Sequence, residues 1–79
     1  FDKSSDAIKH FEATINLVEA SGHTLGGDEP LDLKLLELKD RLAFVLQFAG
    51  DQESALNLKS EIEPFEGLIT WRVSGSIGV

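Results

Sequence analysis

The chain has 79 residues, the length of one small domain, and 42% of them are hydrophobic, which is typical of a folded protein rather than a disordered one. Fourteen acidic residues outnumber seven basic ones, so the formal net charge is −7. A negative field repels phosphate and anionic lipid, and it attracts basic proteins. We therefore expect no direct binding to nucleic acid and no membrane association. Because cysteine is absent, disulfides and thiolate metal sites are excluded.

The first predicted element is a helix over residues 5–20. A serine at its start can accept hydrogen bonds from the free amides of the first turn. Four apolar residues spaced three, four and three apart share one side of this helix: Ile8, Phe11, Ile15 and Val18. Gly22 is expected to end it, because glycine readily adopts the left-handed conformation found after helices.

Residues 22–29 are predicted to form a flexible loop, since three of the eight are glycines. A glycine-rich loop before a helix can bind phosphate, but no lysine follows here, and Asp28 and Glu29 stand where the phosphate would lie. The loop is therefore interpreted as a connector, and His23 within it as solvated rather than catalytic.

The second predicted helix spans residues 30–49 and begins with Pro30, a residue suited to the first helical turn. One apolar seam alternates steps of four and three residues: Leu31, Leu35, Leu38, Leu42, Val45 and Ala49. A second apolar set widens this surface: Leu33, Leu36, Phe44, Leu46 and Phe48. The part around Phe44 and Phe48 is expected either to stay exposed as an interface or to be covered by the C-terminal tail and Trp71, and the sequence favours the two alternatives equally. The polar side is assigned to Asp32, Lys34, Lys39 and Asp40, with Glu37 and Arg41 paired one turn apart. A buried strand over residues 41–48 is the competing interpretation, and helix is favoured by length and by the strong helix formers before it.

A third helix is predicted over residues 52–62. Gly50 ends the preceding helix and Asp51 can cap the next one. Pro64 disfavours helical geometry at Glu63, so the helix should end there. Because the connection is so short, the second and third helices should be close neighbours.

The C-terminal residues 68–79 are rich in β-branched and aromatic side chains and predict a strand or a short hairpin. The expected fold is therefore mainly α: a three-helix bundle in residues 1–66 and a β tail in residues 67–79, forming one domain. A single strand leaves an unpaired edge, which can pair with a partner's sheet or with another copy of the chain.

No catalytic, metal-binding or cofactor-binding constellation is recognisable. Asp6 and His10 share a helix face but lack a third ligand, so His10 is interpreted as a boundary residue. Gly75-Ser76 has no identifiable base. The carboxylates at the end of the third helix lack the spacing of a calcium loop. We therefore expect a protein that is not an enzyme.

The leading hypothesis is a protein-interaction or assembly module that binds a basic protein partner or forms homo-oligomers. The expected partner-binding residues combine apolar anchors, a strand edge and an acidic helix end: Phe44, Phe48, Ile69, Trp71, Val73, Glu61, Glu63 and Glu66. One alternative is an acidic inhibitor that imitates nucleic acid. Another is a subdomain of a larger enzyme, which the absence of methionine favours by suggesting a processed or excised chain.

Overall fold

Three α-helices account for most of residues 3–70, the part of the chain that the computed structural model describes. They are α1 (Lys3–Ala20), α2 (Pro30–Phe48) and α3 (Gln52–Ile62), and a 3-10 helix (Glu63–Leu68) follows α3 directly. The predicted mainly helical, three-helix fold is confirmed. The first helix begins two residues earlier than expected, so the predicted serine cap lies inside it.

Helix α2 is continuous through Phe48, so the helical interpretation of residues 41–48 is correct and the strand alternative is wrong. Glycine ends this helix as expected: Gly50 has a φ of +96°, a left-handed conformation that other residues rarely adopt. The Asp51 carboxylate then accepts a hydrogen bond from the Ser54 amide at 3.2 Å and caps α3. This tight turn makes α2 and α3 packed neighbours.

The core lies along α2, which packs against both α1 and α3. One cluster of buried side chains joins the three helices: Ile15, Leu35, Leu38, Leu42, Leu46 and Ala55. A second cluster contains Leu36, Ile62 and Ile69, with Leu25 and Phe65 packed against it. The observed buried side of α2 therefore differs from the predicted seam, because Leu36 and Leu46 are buried whereas Leu31 is exposed.

The predicted C-terminal strand is not present in residues 68–70, and no strand occurs anywhere in residues 3–70. Leu68 belongs to the 3-10 helix, and the Ile69 amide donates to the Glu66 carbonyl at 3.1 Å. The physical reason is tertiary: the 3-10 helix, whose backbone is kinked at Phe65, brings Ile69 into the buried cluster with Ile62 and Leu36. The remainder of the predicted strand, Trp71 to Val79, lies outside the described residues.

Two leucines of α2 provide a matched test of this burial pattern. Leu36→Ala should lower the free energy of unfolding by about 3 kcal/mol, because the fully buried side chain leaves a cavity between α2 and the end of α3. Leu33→Ala removes the same atoms from an exposed position and should change that free energy by less than about 0.5 kcal/mol. Urea denaturation of both variants measures the difference, and equal losses would contradict the assigned core.

Candidate functional site

The side of α2 that faces away from the core carries two large exposed aromatic side chains, Phe44 and Phe48. They lie one helical turn apart, and their rings stack with centroids 6.5 Å apart and planes inclined by 17°. Phe44 is 68% exposed and Phe48 is 82% exposed. We call this pair the aromatic face. Stacking the two rings on each other covers little of either, so most of their apolar surface contacts water.

A surface depression of about 910 Å³ adjoins the aromatic face, and Phe44 forms part of its lining. Helix α3 contributes Leu56, itself exposed, and Lys59, whose ammonium donates to the Gln47 side-chain carbonyl at 2.6 Å. Glu63 and Glu66 also line the depression. The surface thus combines an apolar part near Phe44 with carboxylates contributed by the end of α3 and the 3-10 helix.

An ion pair holds the arginine of this surface in place. The Arg41 guanidinium lies 2.8 Å from the Glu37 carboxylate, one turn earlier in α2, as the sequence predicts. Burial alone would raise the pKa of Glu37, but the hydrogen bond from Arg41 and the nearby charges of Lys34 and Arg41 outweigh it and hold that pKa below its ordinary value. Glu37 therefore stays ionised and keeps Arg41 partly neutralised beside the aromatic face.

The expected partner-binding residues occupy different environments. Phe44 and Phe48 form the aromatic face, and Glu63 and Glu66 are exposed beside the depression. Ile69 is buried in the second core cluster, so this side chain supports the fold instead of offering a binding surface. Glu61 is exposed but pairs with Lys39. Trp71 and Val73 lie outside the described residues.

Lys39 connects all three helices and was wrongly assigned to an ordinary polar surface. Its ammonium lies 3.0 Å from Glu19 of α1 and 3.2 Å from Glu61 of α3, and its side chain is only 12% exposed. Burial alone would lower the pKa of Lys39, but the hydrogen bonds to both carboxylates outweigh this and raise it. The cation therefore holds α1 and α3 against the same side of α2.

Asp32 holds part of the loop that connects α1 to α2. The prediction of a solvated His23 is wrong, because its side chain is only 18% exposed. His23 Nδ1 lies 2.8 Å from Asp32 Oδ1, and the Thr24 amide donates to the same oxygen at 3.2 Å. Asp32 is the third residue of α2, a position from which an acidic side chain can reach back to amides preceding the helix. The acidic residue at this position was the feature of the sequence from which the contact with the loop could have been predicted. The close approach of Gly27 to this carboxylate completes the arrangement.

Comparison of the chain with protein-family models, with curated proteins and with solved structures finds no match. Within residues 3–70, no group of three or more histidine, aspartate or glutamate side chains is arranged to hold a metal ion. None of the helices in that range combines the length and the apolar character needed to cross a membrane.

The contact between Asp32 and the loop predicts that alanine is tolerated at one glycine and destabilises the protein at another. A Cβ at Gly27 would lie 2.7 Å from Asp32 Cγ, so Gly27→Ala must displace the carboxylate that holds His23 and Thr24. We expect a loss of about 1–3 kcal/mol in the free energy of unfolding. Gly67→Ala is the control, because a Cβ there meets open space, and its effect should stay within about 0.5 kcal/mol. Thermal and urea denaturation distinguish the two, and a neutral Gly27→Ala would refute the contact.

The Lys39 contacts predict stability that is lost at alkaline pH. The folded pKa of Lys39 lies above the unfolded value of 10.5, so its contribution is complete below pH 10.5 and disappears as pH rises through the folded pKa. Lys39→Met should therefore lower the free energy of unfolding by roughly 1 kcal/mol at neutral pH, with a difference from wild type that shrinks above pH 10.5. Lys34→Met, at a more exposed lysine of the same helix, should have little effect. A Lys39 difference that persists at high pH would contradict the ion-pair origin.

Proposed function

We propose that this protein is a non-enzymatic protein-interaction module that binds its partner through the aromatic face of α2. The observation that carries the proposal is the exposure of Phe44 and Phe48 on a helix whose other side already fills the core. Folding of the chain gains little from these two rings where they lie. Binding a partner would gain from both, because burying a phenylalanine side chain contributes about 1.5–3 kcal/mol.

The arrangement of the two rings suits an anchor in an interface. Aromatic side chains bury a large area while losing few rotatable bonds, and they recur among the residues that dominate binding energy. Phe44 and Phe48 are adjacent, and Leu56 lines the depression beside Phe44. A partner that covers this surface would therefore bury three neighbouring apolar side chains from two helices.

Acidic side chains on this surface favour basic partners over neutral or acidic ones. Glu63 and Glu66 line the same depression as Phe44, and the chain as a whole carries a net charge of −7. Carboxylates at the rim of an apolar patch accelerate encounter with a basic surface. Glu61 adds to the field although it also contacts Lys39. A contribution from a strand containing Trp71 and Val73 remains a sequence prediction.

A double substitution tests whether the aromatic face binds a partner. A photoreactive amino acid placed at position 48 should cross-link to a protein that, once identified and purified, binds the wild-type chain directly. Phe44→Ser with Phe48→Ser should weaken that binding at least 100-fold, since losing two buried rings removes about 3 kcal/mol or more. Isothermal titration calorimetry provides the measurement.

Leu17→Ser is the matched control for this experiment. Leu17 is 70% exposed on α1, so the variant also replaces an exposed apolar side chain with serine but leaves the aromatic face intact. Its affinity should match that of the wild type, and both variants should retain the wild-type free energy of unfolding. Equal affinity of the Phe44/Phe48 double variant and the wild type would refute the proposal. If the wild-type chain self-associates and the double variant does not, the partner is a second copy of the chain.

A further inference from the structure

The surface beside the aromatic face has an apolar end and an acidic end. The turn at Gly50 makes α2 and α3 run in opposite directions, so Phe48 lies near the start of α3. At the other end, Glu61 contacts Lys39 and Ile62 packs against Leu36. Glu63 therefore lies level with residues 36–39 of α2. At 1.5 Å of rise per residue, this is roughly 8–12 Å from Phe44 along the helix axis.

The charges on this surface favour a cation from outside the molecule. Three carboxylates line the depression, from Asp40, Glu63 and Glu66, against two cations, Arg41 and Lys59. Arg41 is already paired with Glu37, whereas Lys59 donates to the neutral Gln47 side chain and keeps its charge. Among residues 3–70, no cation pairs with Glu63. Glu63 also caps the carboxyl end of α3, where the helix dipole disfavours negative charge. Within the part of the chain that the structure describes, no ion pair therefore offsets this unfavourable position of the carboxylate.

A second copy of the chain fits this surface poorly. Each copy carries a net charge of −7, and pairing two aromatic faces would bring the carboxylates beside each depression toward another acidic molecule. Like charges across an interface oppose association. A segment that carries both apolar and basic side chains matches the surface in both respects.

We propose, building on the interaction function above, that the bound partner is a basic amphipathic helix lying along the α2–α3 depression. Its apolar residues pack on Phe44, Phe48 and Leu56, and a lysine or arginine about one and a half to two turns away pairs with Glu63. Helices that bind in grooves use apolar anchors at positions i, i+3 or i+4, and i+7. The separation of roughly 8–12 Å between Phe44 and Glu63 determines how far along the partner helix the cation must lie from the apolar anchors.

Three synthetic helical peptides of about 18 residues, roughly 27 Å long, test the charge preference. All carry leucines at i, i+3 and i+7, and the positions about one and a half to two turns away hold lysine, glutamine or glutamate. Fluorescence anisotropy should show the lysine peptide binding at least tenfold more tightly than the glutamine peptide, and the glutamate peptide binding most weakly. Raising the salt concentration should remove most of this difference, because exposed charges are screened. Equal affinities for the three peptides would overturn the proposal.

A pair of charge reversals tests the position of the cation. Glu63→Lys should weaken binding of the lysine peptide about five- to tenfold, while the protein's stability stays equal or rises, since a cation suits that helix end. Glu12→Lys on α1 changes the net charge equally but lies outside the depression lined by Phe44, so it should have a much smaller effect. Equal weakening by both variants would refute the local contact with Glu63.

The same peptides separate failure of this inference from failure of the proposed function. If the glutamine peptide binds as tightly as the lysine peptide and Phe44→Ser with Phe48→Ser abolishes both, the interaction function stands and the basic partner is refuted. If sedimentation shows dimers that the double variant dissociates and no peptide binds, a second copy is the occupant and the inference is wrong. If the chain is monomeric and the double variant leaves every affinity unchanged, both proposals fail.

Discussion

The burial of the α2 leucines between α1 and α3 is the interaction on which the remainder of the structure depends. Neither flanking helix buries its apolar stripe without α2, because both pack mainly against it. A chain of this length has a high ratio of surface to volume, so each buried leucine is a large fraction of its stability. The contacts of α2 consequently determine the positions of the loop, the turn and the 3-10 helix.

That same arrangement leaves part of the α2 surface uncovered by the rest of residues 3–70. Helices α1 and α3 cover Leu35, Leu38 and Leu42, whereas Phe44 and Phe48 stay exposed beside the α2–α3 depression. A hydrophobic side chain exposed singly is ordinary, but two stacked rings beside an exposed leucine form a contiguous apolar patch. The packing of three helices around one core thus leaves exposed the aromatic face that we propose binds a partner.

Polar side chains inside the bundle connect the helices to each other instead of facing solvent. Lys39 contacts carboxylates of α1 and α3, and Asp32 holds the loop through His23 and Thr24. Such contacts fix the orientation of the helices more than they raise the free energy of unfolding, because the cost of removing charges from water offsets much of their attraction. They limit how α1 and α3 lie on α2, and so they also position the carboxylates at the end of α3.

The sequence by itself determined the three helices and the turn between α2 and α3, although α1 begins two residues before the predicted serine cap. The signals for α2 are local: apolar periodicity, the proline at its start and the glycine after its end. Each acts on the backbone conformation of a few neighbouring residues, so it can be recognised without knowledge of the tertiary structure. Only the tertiary structure decided which apolar residues are core: Leu36 became buried and Phe44 exposed, although both belonged to one predicted set. It likewise buried Asp32 against the preceding loop and Ile69 beside Leu36 and Ile62, and it half-buried Lys39 between carboxylates of two other helices. Helical periodicity places side chains around an axis, but the neighbouring helices decide which part of that circle is hidden from water.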